Sequence, residues 1–413
     1  MPEEQKRFES GDFILRVSSL FTPDERVHNA SILCHGGMIS AVGGYSALMM
    51  FEDTPCLDLS EFHAIPGMID THIHGTGGMA CMDAPELSDL DTISRVLARH
   101  GVTSFQMTLV SAEPEKMLAV IQALNSLMSK PQVGAQATGI HIEGPYLRME
   151  RAGAQPQQHI RPVDLREAAE LFQAGEGRVR MMTFAPEQEN STALIELMCE
   201  NGVIPSMGHS EADDASVIRA IEAGAERCTH LYNGSTTLDQ RQAGLTTVAL
   251  VNDLITVEII ADGVHVHPAM IDLACRVKPR GRVVGISDAT QGAGLRDGVY
   301  HLGDQAVEIR DGGCFLQAGG TLAGSCLTLD LALRNLSCFT SLPATEVVSC
   351  YTSNAARSVG LEDRGELRPG KRADIVVVDD DWNVRMTIVE GRIVYDAKGE
   401  YGPGPDSLPM GAV

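Results

Sequence analysis

Basic residues are scarce in this chain. Against 55 Asp and Glu stand only 32 Lys and Arg among 413 residues, a formal net charge of -23. So acidic a chain repels phosphate backbones and anionic lipid, which excludes nucleic acid and membrane surfaces as natural partners. No stretch approaches the roughly 20 apolar residues of a membrane span. The opening MPEEQKRFESGDF is polar and acidic and lacks the apolar core of a secretory signal. The ten cysteines, scattered from Cys34 to Cys350, never fall as Cys-x-x-Cys. They predict reduced, buried thiols in the cytoplasm, not a disulfide framework or a zinc ribbon. Internal repeats and low-complexity tracts are lacking too. Hydrophobic content of 44% and charged content of 21% fit an ordinary soluble enzyme.

What is present is alternation. Residues 12 to about 62 and 366 to about 397 read as short strands. The segment SILCHGGMISAVGG predicts a hairpin at Gly36-Gly37, and TIVEGRIVYD predicts another at Glu390-Gly391. Each terminal piece is too small to fold alone, so both ends of the chain are expected to build one small β-sandwich. Between them, eight apolar runs alternate with amphipathic stretches such as LSDLDTISRVLARH, STALIELMCEN and DDASVIRAIEAG. The runs are AIPGMID, VTSFQMTLV, ATGIHIE, VRMMTFAP, VIPSMGH, ERCTHLY, TVEIIAD and VVGISDA. Gly101, Gly202 and Gly224 follow helical stretches where a left-handed cap is needed. The expected class is α/β, a (β/α)8 TIM-like barrel with a small β-sandwich domain formed by both termini. Its parts are residues 1–64 and 366–413 for the sandwich and tail and 65–365 for the barrel, with GPGPDSLPMGAV a loose end. A doubly wound open sheet would read similarly, but no GxGxxG follows the first run to favour it.

The polar residues fall at the ends of these runs. Asp70, His72 and His74 end the first; His141 and Glu143 the third; His209 the fifth; His230 the sixth; Asp262 and His265 the seventh; Asp288 the eighth. In a barrel these ends converge on one rim, where such folds place their chemistry. His72 and His74, at i and i+2 of a strand, face the same side. Histidines and carboxylates together suit Zn²⁺ or a similar divalent ion.

The order PGMIDTHIHG, GIHIEGPY, APE, GHS, THLYN, ADGVH, SDAT and LAGS, closed by NAARSVGL and GELRPGKRADIVVVD, resembles the amidohydrolase superfamily and, within it, the N-acetylglucosamine-6-phosphate deacetylases. The resemblance spans nearly the whole chain. It implies a metal-dependent barrel that hydrolyses N-acetyl-D-glucosamine 6-phosphate in amino-sugar catabolism, in a homodimer. It makes Glu143, His209 and His230 ligands of a principal ion, with His72 and His74 completing a second site and Glu143 bridging. His141 is then a packed residue, and Asp288 the general acid/base. The substrate contacts it implies are Ala154, Gln155, Asn233, Gly234, Arg241 for the phosphate, Asp262, His265, Leu322, Ala323 and Gly324, with backbone N–H groups from a helix after the LAGS turn.

Three departures bear on substrate. Gln155 stands where the family usually has a His, Gln242-Ala243 replaces the usual Glu-Pro, and Gly234-Ser235 replaces the usual Ala-Met. They leave open the galactosamine epimer or another N-acyl amine. Arg241 could also be a solvated surface residue. A barrel without catalysis, serving as a scaffold, would be expected to lack metal ligands, and none of the expected ones is missing.

Overall fold

A computed structural model describes residues 12–48, 54–83, 86–295, 297–302, 305–310, 313–317 and 322–405. The first eleven residues and the end of the expected loose tail lie outside them.

The chain begins in β1 (Phe13–Phe21), β2 (Arg26–His35), β3 (Met38–Gly44) and β4 (Cys56–Pro66). The turn between β2 and β3 is Gly36-Gly37, both left-handed. Alternation along β1 sends Phe13, Leu15 and Val17 into a core shared with Ile32, Ile39, Ile375, Val377 and Ile388.

Eight parallel strands follow: β5 (Met68–Ile73), β6 (Val102–Leu109), β7 (Gln136–Glu143), β8 (Val179–Phe184), β9 (Ile204–Met207), β10 (Arg227–Cys228), β11 (Thr256–Ile260) and β12 (Val283–Ile286). They pair in chain order. β6 is buried at every position, as a parallel strand covered on both faces requires. The ring closes between β12 and β5, where Asp288 N–H donates to the His72 carbonyl at 3.0 Å and His74 N–H to that of Ala289 at 2.8 Å. Each of the eight apolar runs thus supplies one barrel strand. The three amphipathic stretches become helices Leu87–Arg99, Ser191–Glu200 and Asp214–Ala223. Asp213 caps the last of these, accepting from Ser216 N–H.

After β12 comes an antiparallel insertion that the runs did not foretell: β13 (Gly298–Leu302), β14 (Gln305–Arg310), β15 (Gly313–Leu316) and β16 (Leu322–Ser325). The chain ends in β17 (Ile375–Val378), β18 (Val384–Val389) and β19 (Arg392–Asp396), the last two joined at left-handed Glu390-Gly391. β17 pairs with β4, so both termini merge into one seven-stranded sheet, ordered β19-β18-β17-β4-β1-β2-β3. That sheet is tied to the barrel's first helix, where Thr387 Oγ1 donates to the Ala98 carbonyl at 2.7 Å. Among the described residues no helix is long and apolar enough to cross a membrane.

Candidate metal centre at the barrel mouth

Strand geometry places the polar residues. His72 lies within β5 and His74 one residue past it, while Glu143 ends β7. His209, His230 and Asp288 each stand two residues beyond their strands, β9, β10 and β12, and each has a positive φ: 46°, 27° and 48°. A non-glycine residue there costs on the order of 1–3 kcal/mol, and such strain collects where geometry serves function. Backbone bonds hold the strained residues: Arg148 N–H to the His209 carbonyl at 2.9 Å, His230 N–H to Glu258 Oε2 at 3.1 Å, and Asp288 N–H to His72.

The side chains converge in two groups that share a border, and each group could hold a metal ion. In one, Glu143 Oε1 lies 3.0 Å from His209 Nε2 and 2.9 Å from His230 Nε2, with the two ring nitrogens 3.1 Å apart. In the other, His72 and His74 Nε2 are 3.3 Å apart, and Asp288 Oδ1 lies 3.3 Å from both. Glu143 connects the groups, its Oε2 3.2 Å from His74. Imidazole nitrogens that face one another this closely share either a proton or a metal ion. Tetrahedral bonds of about 2.0–2.1 Å put ligand atoms about 3.3 Å apart, close to these separations. The donors therefore fit a divalent ion. Asp288 joins the His72–His74 group directly, beyond the acid/base part expected of it.

Charges in the cluster are strongly coupled. Burial pushes the Glu143 and Asp288 carboxyls up, but the surrounding imidazoles outweigh it and hold both below their usual range. Burial also opposes the charged form of His74, yet Asp288 and Glu143 raise it to about 9. Both carboxylates are thus ionised and draw positive charge into the site, the part a divalent ion plays.

Further bonds aim the ligands. His209 Nδ1–H donates to the Arg151 carbonyl at 2.7 Å, leaving Nε2 free to face Glu143. Gln155 is buried, donating through Nε2 to Glu143 Oε2 at 2.6 Å and accepting from Ser111 N–H at 2.9 Å. Its amide is therefore occupied with a ligand carboxylate. His141 packs edge-on against His72 and bonds Thr183 and Thr108, outside both groups. Burial and the neighbouring His72 depress its basicity.

The other expected contacts divide. Gly234 lies against His209, where a Cβ would come within 2.9 Å of Nδ1, so a side chain there would require the His209 ring to shift. Asn233 Nδ2 turns back to the His230 and Leu231 carbonyls. Asp262 caps its own loop and bonds His265 Nδ1 at 2.5 Å. Burial disfavours the charged His265, but Asp262 prevails and raises it. Leu322-Ala323-Gly324 form β16 and not a turn, with the next helix, Leu329–Phe339, starting after Thr328. Ser325 N–H donates to the Asp288 carbonyl at 3.3 Å, which brings this segment to the site's edge. Ala154 is exposed. Arg241 is exposed as well, and its guanidinium makes no ion pair among the described residues; only its N–H bonds, to Asp239 Oδ1.

Two residues escaped the sequence reading. Glu258, in the middle of β11, accepts from His72 Nδ1–H at 2.9 Å and from Arg227 Nε at 2.9 Å, and both Glu258 and Arg227 are buried. The one available signal was a charge inside each of two buried strands, TVEII and RC.

Comparison with known proteins agrees with this fold. The Amidohydrolase family model matches residues 64–394. An N-acetylglucosamine-6-phosphate deacetylase of Bacillus subtilis is 38% identical over 338 residues, covering 81% of this chain and 85% of its own. An N-acetylgalactosamine-6-phosphate deacetylase of Escherichia coli O157:H7 is 32% identical, covering 92% and 98%. A variant of the N-acetyl-D-glucosamine-6-phosphate deacetylase of Mycobacterium smegmatis, solved with N-acetyl-D-glucosamine-6-phosphate, superposes with a TM-score of 0.85 at 31% identity, over 93% of this chain and 99% of that one. A barrel with this rim, matched along most of its length, belongs to the amidohydrolase family.

Proposed function

We propose that this enzyme hydrolyses N-acetyl-D-glucosamine 6-phosphate to D-glucosamine 6-phosphate and acetate. The carrying observation is the convergence of Glu143, His209, His230, His72, His74 and Asp288 at one rim of a chain whose relatives carry that activity. Glu143, His209 and His230 would hold one divalent ion, and His72, His74 and Asp288 a second beside it. The nitrogen and oxygen donor set favours zinc. When bound, the ion acidifies a water and polarises the amide carbonyl.

Asp288 takes the proton of the attacking water and passes it to the leaving nitrogen, since an unprotonated amide nitrogen is too poor a leaving group. Asp288 and His74 are each 15% exposed, while the side chains of His72, Glu143 and His230 are under 5%. That pair therefore marks the side from which substrate approaches. Gln155 holds Glu143 in place, and His265, oriented by Asp262, faces the sugar. Asn233-Gly234 and Leu322-Ala323-Gly324 border the pocket. Arg241 pairs with the 6-phosphate; its exposure and its unengaged guanidinium support a reach toward substrate held by the neighbouring subunit of a homodimer. Ten free cysteines support a reducing, cytoplasmic setting.

The galactosamine relative supports one second reading, the same reaction on N-acetyl-D-galactosamine 6-phosphate. Acetate release from a panel of N-acetyl hexosamines, with and without the 6-phosphate, decides. The glucosamine 6-phosphate substrate is expected to give the highest kcat/KM. Preference for the epimer selects the second reading, and preference for an unphosphorylated sugar removes the sugar-phosphate assignment.

A further inference from the structure

Glu258 presents a problem that its surroundings answer. It sits on a strand otherwise made of Thr, Val and Ile, and none of it is exposed. A buried carboxylate is costly unless paired and fully hydrogen-bonded. Its two oxygens divide the work. Oε1 accepts from Arg227 Nε at 2.9 Å, and Arg227 spends its other donors on Thr71 Oγ1 at 2.6 Å and Ser358 Oγ at 2.5 Å. Oε2 accepts from two donors, His72 Nδ1–H at 2.9 Å and His230 N–H at 3.1 Å. Its buried pairing with the Arg227 guanidinium, a cation that does not give up its proton, makes this carboxylate an anion.

The two donors on Oε2 belong to different ion groups. With Nδ1–H committed to Glu258, Nε2 is the ring nitrogen that His72 has left to face His74 and Asp288. With its N–H committed to the same oxygen, His230 is held at φ 27°, the backbone angle from which its ring reaches Glu143. By contrast, His209 is aimed by a neutral carbonyl, that of Arg151. Of these three rings, only that of His72 has its far nitrogen, Nδ1, on a carboxylate, which raises its strength as a ligand.

We propose that Glu258 is a positioning residue that couples the two ion groups, through the ring of His72 in one and the backbone of His230 in the other, with Arg227 as its fixed counter-charge. The proposal rests on the reading that both groups hold divalent ions. A buried ion pair that merely stabilised the barrel would not need both donors on one oxygen to come from ligand residues.

The test is metal binding, not turnover. Parent and Glu258→Gln proteins are stripped with a chelator and titrated with Co²⁺ in metal-buffered solution, following bound metal and the visible cobalt spectrum, with the melting temperature of the metal-free proteins alongside. The parent should bind two ions. In Glu258→Gln the ion at His72 should weaken by about 10- to 100-fold, with an altered cobalt band for that equivalent, while the ion at His209 weakens less. Should the lone glutamine leave Arg227 unpaired and the fold damaged, Glu258→Gln/Arg227→Gln removes both charges together and is expected to show the same unequal loss. Two unchanged affinities in a folded variant overturn the proposal. So does an equal weakening of both ions that tracks a lower melting temperature of the metal-free protein, which is the mark of a structural ion pair. A parent that binds fewer than two ions overturns the two-ion reading itself, and this outcome is visible before any variant is made.

Discussion

The ion cluster and the loop that carries Arg241 share one rim of the barrel, yet they are built in opposite ways. Every cluster residue is anchored at a strand end, mostly buried, and held by bonds from a second residue. Arg241 lies in a connection with exposed neighbours, its turn maintained by Asp239, which accepts from the N–H groups of Arg241 and Gln242. The difference teaches where this fold fixes chemistry and where it leaves choice. Bond breaking needs side chains placed in advance, which strands supply. Recognition of a charged group far from the bond that breaks tolerates an exposed cation on a loop, and loops change without disturbing the core. The departures from family pattern near Arg241 fall on the tolerant side of this division, whereas Gln155 falls on the rigid side.

Substitutions on each side can break that comparison. The largest effect is expected from Asp288→Asn. It keeps size and some hydrogen bonding but removes the base, so kcat should fall by about 10²–10⁴ while the ion held by Glu143, His209 and His230 stays. Turnover near that of the parent would move the proton carrier elsewhere. Next, Arg241→Ala should raise KM for the 6-phosphate substrate by about 10- to 100-fold, with kcat and activity on the unphosphorylated sugar nearly unaltered. An equal response from both substrates would show that the loop is part of the rigid site after all.

The smallest effect lies outside the rim and serves as a control for pH. Burial holds the Asp374 carboxyl up at about 6, against about 3.9 for an unperturbed aspartate. The folded chain binds this proton more tightly than the unfolded one, so the contribution to stability is complete below about pH 4 and is lost as pH rises from about 4 to 6. Asp374→Asn, which keeps an acceptor for Glu390 N–H, should flatten that part of the stability–pH profile by at most about 3 kcal/mol. An unchanged slope would assign the pH dependence to other groups. An acid limb in activity that persists in this variant belongs to the rim.

Much of this was legible because barrels write their sites at strand ends. Eight apolar runs foretold eight strands, and all six cluster residues were among the polar residues closing them. Gly36-Gly37 and Glu390-Gly391 announced their hairpins through the left-handed backbone that tight turns demand. Local pattern failed where partners lie far apart. Glu258 meets Arg227 and His72 across 31 and 186 residues, so its purpose appears only when strands become neighbours. The insertion from β13 to β16 hid because strands such as GVYHL and QAVEIR mix polar and apolar residues and show no continuous apolar run, and LAGS read as a turn because glycine usually marks one.

The seam between β12 and β5 has a consequence for how the enzyme comes into being. Glu143, His209 and His230 come from the consecutive strands β7 to β10, which pair in chain order. The other group requires both edges of the sheet. Asp288 reaches His72 only once the ring shuts, at a point where the bond from Ser287 N–H to Asp70 spans 217 residues. Contacts of such separation are costly in chain entropy and form late in folding. On a growing polypeptide His72 and His74 emerge long before Asp288 exists to join them. On the proposed mechanism, Asp288 therefore joins His72 and His74 only when the barrel closes, and a chain that ends short of β12 would lack its proton carrier.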